Sequence, residues 1–162
     1  SGQKRSVPVV AKGNGGDFDD LMKMCREILT KLMRNKSSWV FNKPVDASGL
    51  GLYDYHHIVK KPMDLGTVKA YLAKNLYSSP SQFASDVRLT FNNAMLYNPK
   101  TDQVHSMAAQ LLSQFEDCLD RFKRNWIVEL RKMWFVVGMM IAVEVLGMRL
   151  LVQRDARSRR LI

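Results

Sequence analysis

From Asp17 onward apolar residues recur at Phe18, Leu21, Met22, Cys25, Ile28, Leu29, Leu32 and Met33, and these three- and four-residue steps describe one face of a helix. Asp17, Asp19 and Asp20 at its start and Lys31, Arg34 and Lys36 at its end suit the helix dipole. Behind Asp64, a residue suited to capping, Leu65, Val68, Leu72 and Leu76 repeat the pattern. A third helix is announced by Ser79 as N-cap, Pro80 at the first helical position and Gln82 completing a capping box. Its apolar stripe runs through Phe83, Val87, Phe91, Ala94 and Met95 to Tyr97, and Pro99 pushes residue 98 out of the helical region. A last helix starts near Thr101 or Asp102 and carries Val104, Ala108, Leu111, Phe115, Leu119, Phe122 and Trp126. No segment alternates with period two, so the pattern predicts an all-α protein, a four-helix bundle.

Between the first two helices lies NKSSWVFNKPVDASGLGLYDYHHIVKKPMD, about thirty residues with two prolines, two glycines, several Asp, Asn and Ser, and no sustained period. Trp39, Phe41, Val45, Leu50, Leu52, Tyr53, Tyr55, Ile58 and Val59 are too many apolar groups for a disordered linker. The loop is therefore expected to pack on the bundle and shape a surface.

Charge changes the picture only once it is located. The chain of 162 residues has a formal net charge of +10. Residues 1–16 hold three basic and no acidic side chains, and residues 123–162 hold nine basic and three acidic. Residues 17–122, with thirteen basic and twelve acidic, are nearly neutral and suggest no basic stripe. Attraction to polyanions is thus assigned to the ends. Three segments follow: a flexible basic lead (1–16), the bundle (17–124) and an apolar, basic C-terminal extension (125–162). Cys25 and Cys118 lack metal-ligand spacing and are expected to be reduced thiols.

Asn98 is the chemically informative residue. Its amide has two donors and one acceptor without charge, so it can cap the helix or form an Asx-turn, or it can fix the position of a neutral carbonyl. If the long loop and the end of the third helix share one end of the bundle, Phe41, Val45, Leu50, Leu52 and Tyr55 would surround it with an apolar slot.

The stretches WVFNKPVD, GLYDYHHIVKKPMDLGTV and FNNAMLYNPKTD, in this order and spacing, resemble a bromodomain, and are especially similar to plant members of the bromodomain and extra-terminal class. The resemblance runs from about Leu21 to Phe122. It implies a left-handed four-helix bundle that reads acetyl-lysine on histone H3 or H4 tails, in the nucleus, in the service of transcription. It implies that Asn98 donates to the acetyl carbonyl and that Tyr55 reaches the same oxygen through a water. Val45, Leu50, Leu52 and Tyr97 then match the slot walls, Phe41 the residue near the acetyl methyl, Val104 the rim, and Trp39, Val40 and Phe41 an aromatic shelf. Val40 departs from the Trp-Pro-Phe shelf common in animal members, which puts the rigidity of the shelf in question.

The chemistry fits such a ligand. Acetylation converts a strongly hydrated ammonium into a neutral amide, and an uncharged slot rejects the unmodified ammonium. One hydrogen bond worth roughly 0.5–1.5 kcal/mol and burial at about 0.8 kcal/mol per carbon imply micromolar or weaker affinity for one mark. Asp46, Asp54 and Asp102 fall in or beside the framing loops, as rim acids for a basic peptide or as ordinary loop acids. No catalytic constellation, metal site or cofactor motif is expected: Glu116, Asp117 and Asp120 read as a solvated face, and His56 and His57 lack ligand partners. The rival reading is a helical nucleic-acid-binding module that uses its basic ends. The extension resembles neither a bromodomain nor the extra-terminal domain. Glu144 and Arg149 interrupt its apolar run and argue against a membrane span; the alternatives are an extended fourth helix that folds back, self-associates or meets a partner, and a variant or isoform end with no evolved fold.

Overall fold

The structure, a computed structural model, describes residues 15–158, with side chains for most of residues 16–129 and for Arg131, Lys132, Phe135 and Met139 beyond them. Five α-helices follow one another: α1 (Gly15–Met33), α2 (Tyr55–Ile58), α3 (Leu65–Ala73), α4 (Pro80–Tyr97) and α5 (Gln103–Ser158). A single 3-10 turn, Trp39–Phe41, lies between α1 and α2, and no strand occurs among the described residues. The expectation of a helical bundle holds. The flexible lead lies outside the described residues up to residue 14, and α1 already includes Gly15 and Gly16.

Two compact units divide the chain, one ending at Cys118 and the other beginning at Leu119. In the first, α1 packs on α3 and α4, α3 packs on α4, and α2 rests on α4. Met22, Cys25, Leu29 and Leu32 of α1 meet Leu65, Val68 and Leu72 of α3, Phe83, Val87 and Phe91 of α4, and Leu111 and Phe115 of α5 in the buried interior. An edge-to-face series links three elements: Tyr71 to Tyr77, Tyr77 to Phe83 and Phe83 to Phe115, with centroids 5.9–6.1 Å apart. Each such ring contributes about 1.5–3 kcal/mol by leaving water. Tyr77 and Asp86, both buried in this interior, are joined by a 3.0 Å hydrogen bond.

The start signals read from the sequence operate as expected. Asp64 accepts from the Thr67 N–H at the head of α3, and Ser79 accepts from the Gln82 N–H at the head of α4, while Gln82 reaches back to the Ser78 N–H. Two expected core positions are not in the core. Leu76 is 48% exposed because α3 stops at Ala73 and Asn75 turns the chain at φ +51°, beyond the reach of the helical period. Phe18 is 38% exposed in the first turn of α1.

The unit beginning at Leu119 is the continuation of α5. Phe122 stacks on Trp126 at 5.9 Å, and Lys123 and Lys132 pair with Asp120 and Glu129 one turn back. Ile127, Val128, Phe135 and Met139 are exposed. Among the described residues no helix is long and apolar enough to cross a membrane.

Candidate functional site

The long loop after α1 is ordered by its own backbone. Ser38, fully buried, donates its hydroxyl to the Leu32 carbonyl, and the Phe41 N–H donates to the Ser38 carbonyl at 2.9 Å, closing the Trp39–Phe41 turn without a proline at Val40. Phe41 turns inward and sets its ring edge-on to Phe91 at 5.3 Å, whereas Trp39 stays 72% exposed. The loop then lies against the head of α3 so closely that a Cβ on Gly66 would stand 2.5 Å from the Asn42 carbonyl oxygen. Only glycine allows that approach.

Asp46 starts the next turn by accepting from the Gly49 N–H at 2.9 Å, and the Leu52 N–H returns to the Ala47 carbonyl at 2.8 Å. This reversal, with Gly51 at φ +67°, brings Ala47, Tyr55 and Val59 into one small buried cluster, with Leu52 and Tyr97 packed against it. Tyr97 belongs to the last turn of α4. Its ring meets that of Tyr55 edge-on at 5.1 Å, and its hydroxyl donates to Asp54 at 2.8 Å. The loop and the end of α4 therefore do meet, through Tyr97 on Tyr55 and Asp54.

Asn98 follows directly and ends α4 in extended backbone, φ −93° and ψ 134°. Its backbone N–H and its side-chain Nδ2 both donate to the Ala94 carbonyl, at 3.0 and 2.8 Å. The capping role weighed from the sequence is thus present. It uses only one of the two Nδ2 protons, and the amide carries no other hydrogen bond among the described residues. The Asn98 carbonyl in turn lies 2.9 Å from Nδ1 of His105 on α5, which braces the chain on the far side of Pro99. Asp102 accepts from the Val104 N–H at 2.6 Å and holds half-buried Val104 at the start of α5.

Electrostatics keep both phenols neutral. Burial, and after it the negative charge of Asp64, push the Tyr55 hydroxyl above the ordinary tyrosine value. Tyr97 is raised first by its hydrogen bond to Asp54, then by burial and the Asp54 charge. At neutral pH Tyr55 offers a proton, and its hydroxyl makes no hydrogen bond within the described residues.

Of the sequence-derived candidates, Tyr55, Leu52 and Tyr97 come together in one place, and Asn98 follows Tyr97 in the chain with its amide on the Ala94 carbonyl. Val45 and Leu50 are exposed at 38% and 67%, and Val40 is half-buried. Each of the three acids expected at the rim has a partner within the protein: Asp46 on Gly49, Asp54 on Tyr97 and Asp102 on Val104. Sequence reasoning missed Ala47, Ala94 and His105. Ala47 and Ala94 act through a methyl group and a carbonyl, which leave no mark in composition, and His105 carries only the weak signal of a histidine in the first turn of a helix. Among the described residues no group of three His, Cys, Asp or Glu could hold a metal.

Comparison with protein families finds a match to the model described as Bromodomain over residues 25–110, just over half of the chain. Among curated proteins, Transcription factor GTE5, chloroplastic, from Arabidopsis thaliana is 62% identical over 107 residues, covering 65% of this chain and 22% of that protein. Transcription factor GTE2 from the same plant is 66% identical over 96 residues, 59% of this chain and 16% of that protein. Transcription factor GTE4 is 48% identical over 135 residues, 79% of this chain and 17% of that protein. The chain spans about a fifth of the length of these relatives.

Proposed function

Because this chain belongs to the bromodomain family, we propose that the cluster of Ala47, Leu52, Tyr55, Val59 and Tyr97, with Asn98 at its edge, receives the acetylated side chain of a lysine on a histone tail. The observation that carries this reading is the Asn98 amide. One Nδ2 proton is tied to Ala94, which orients the group, and the other is left for a carbonyl oxygen beside an apolar cluster and a neutral phenol. A tethered amide loses little rotational freedom on binding, so more of a weak hydrogen bond survives as affinity. The exposed Trp39, Val45 and Leu50 then supply walls that become buried by the ligand rather than by the protein. Phe41 supports the floor through Phe91, and Val104 stands at the rim.

The module reads a mark and performs no chemistry on it, and it serves transcription in the nucleus, as the transcription-factor names of its relatives suggest for them. The word chloroplastic in some of those names describes those proteins.

Replacement of Asn98 by Ala is expected to lower affinity for an acetylated H4 tail peptide by about 1.4–2.8 kcal/mol, tenfold to a hundredfold, in calorimetry. Melting should fall by no more than about 1 kcal/mol, because only the bond to Ala94 is lost from the free protein. Binding undiminished in Asn98→Ala would sink the assignment.

A further inference from the structure

Asn98 has one support that belongs neither to the long loop nor to α4. Pro99 carries no N–H, so the hydrogen-bond ladder of α4 stops with the Asn98 N–H on the Ala94 carbonyl, and the Asn98 carbonyl has no helical partner ahead of it. His105 of α5 takes that place with Nδ1 at 2.9 Å, the one hydrogen bond to this carbonyl among the described residues. A carbonyl only accepts, so Nδ1 carries the proton and donates it.

The histidine is itself held in place. The Asp102 N–H donates to the Pro99 carbonyl at 2.9 Å, the Asp102 side chain accepts from the Val104 N–H at 2.6 Å, and the Asp102 carbonyl accepts from the Ser106 N–H at 3.3 Å. His105, half-buried, stands between Val104 and Ser106 in this fastened first turn of α5. The turn from Asn98 to His105 is thus closed on itself by one side chain across seven positions. What the bond fixes is the direction of the Asn98 carbonyl, which is the ψ of 134° at the point where the chain leaves α4.

We propose, resting on the acetyl-lysine reading above, that His105 is a positioning residue for the slot. The bonds to Ala94 hold the N–H and the amide of Asn98 to the end of α4, and His105 holds its carbonyl to the start of α5. Without the second hold, the peptide between Asn98 and Pro99 is free to turn, and Asn98 and Val104 lose their fixed separation. A binding group has to be kept within about 0.5 Å of its productive place by neighbours that are themselves locked, and His105 meets that condition through Asp102. Its effect on the ligand passes through Asn98.

The test compares wild type, His105→Ala and His105→Asn in the full chain. Calorimetry reads affinity for the acetylated H4 tail peptide, and 15N NMR of the free protein reads the side-chain amide of Asn98. His105→Ala should weaken binding by about twofold to tenfold, the worth of one hydrogen bond, and should shift or broaden the Asn98 amide signals before any peptide is added. The Nδ2–H of an asparagine stands as many bonds from Cα as the Nδ1–H of histidine, so His105→Asn should restore both. A merely structural histidine would lower the melting temperature of His105→Ala and leave the dissociation constant at the wild-type value, because the fold stays populated well below melting; that result would overturn the proposal. So would a loss of binding that His105→Asn does not restore, which would give the role to the ring rather than to its bond. Failure of wild type to bind the peptide would strike the acetyl-lysine reading, and the Asn98 amide signals would still decide whether His105 holds that residue in place.

Discussion

The interior between α1, α3, α4 and α5 and the small cluster around Tyr55 are both apolar and both buried, yet they are built differently. In the interior, Phe83, Val87, Phe91, Leu111 and Phe115 have no exposed surface, and they pack against other side chains of the bundle. Around Tyr55, only Ala47, Tyr55 and Val59 are buried, Leu52 and Tyr97 are half-covered, and Leu50 and Trp39 face solvent. The first region is closed within the fold. The second has stopped short, and part of its apolar surface stays open to solvent, which under the proposed function a ligand covers.

The largest expected effect breaks the two regions apart by the same kind of truncation. Phe83→Ala removes a ring that touches both Tyr77 and Phe115 and should cost about 3–5 kcal/mol in urea unfolding. Leu52→Ala removes a half-covered side chain and should cost about 1 kcal/mol or less, while weakening acetyl-peptide binding. Equal stability losses would mean that the slot is an ordinary part of the core.

Asp64 joins the regions and gives the intermediate effect. Its carboxylate accepts from both the backbone and the hydroxyl of Thr67, which caps α3, and its charge also raises Tyr55. Asp64→Ala should destabilise the fold by about 1–2 kcal/mol, the range of a lost N-cap. It should also lower the phenol of Tyr55 part of the way, since the larger cause, burial, remains. Spectrophotometric titration of the tyrosines checks the second effect and urea melting the first. A loss of stability with an unchanged Tyr55 titration would separate the cap from the slot.

The two regions were also unequally legible in the sequence. The bundle could be read because periodicity and capping residues are local: Ser79, Pro80 and Gln82 announce α4 within four positions, and the structure places them in those roles. The slot depends on a chain reversal from Asp46 to Leu52 and on pairings such as Tyr97 with Asp54, 43 residues apart, which no local pattern encodes. Its members were named because three separated motifs resemble a known family, and the apolar richness of the loop showed only that the loop packs somewhere.

Tyr55→Phe should have the smallest effect on the fold and so gives the finest test of the difference. The hydroxyl makes no hydrogen bond within the described residues, so its removal at pH 7 should change stability by only a few tenths of a kcal/mol, although the peptide should bind more weakly. The pH dependence follows from the direction of the shift. Tyr55 is raised in the folded protein above the unfolded value of about 10, so the unfolded chain gives up this proton first. The stabilisation linked to the neutral phenol is complete below about pH 10 and is lost as pH rises through the higher folded value. Melting temperatures of wild type and Tyr55→Phe should therefore run parallel from about pH 7 to about 9.5, and wild type should fall away faster above about 10. A gap that opens already at neutral pH would show that the hydroxyl is bonded inside the fold, and the slot would then be as closed as the core beneath it.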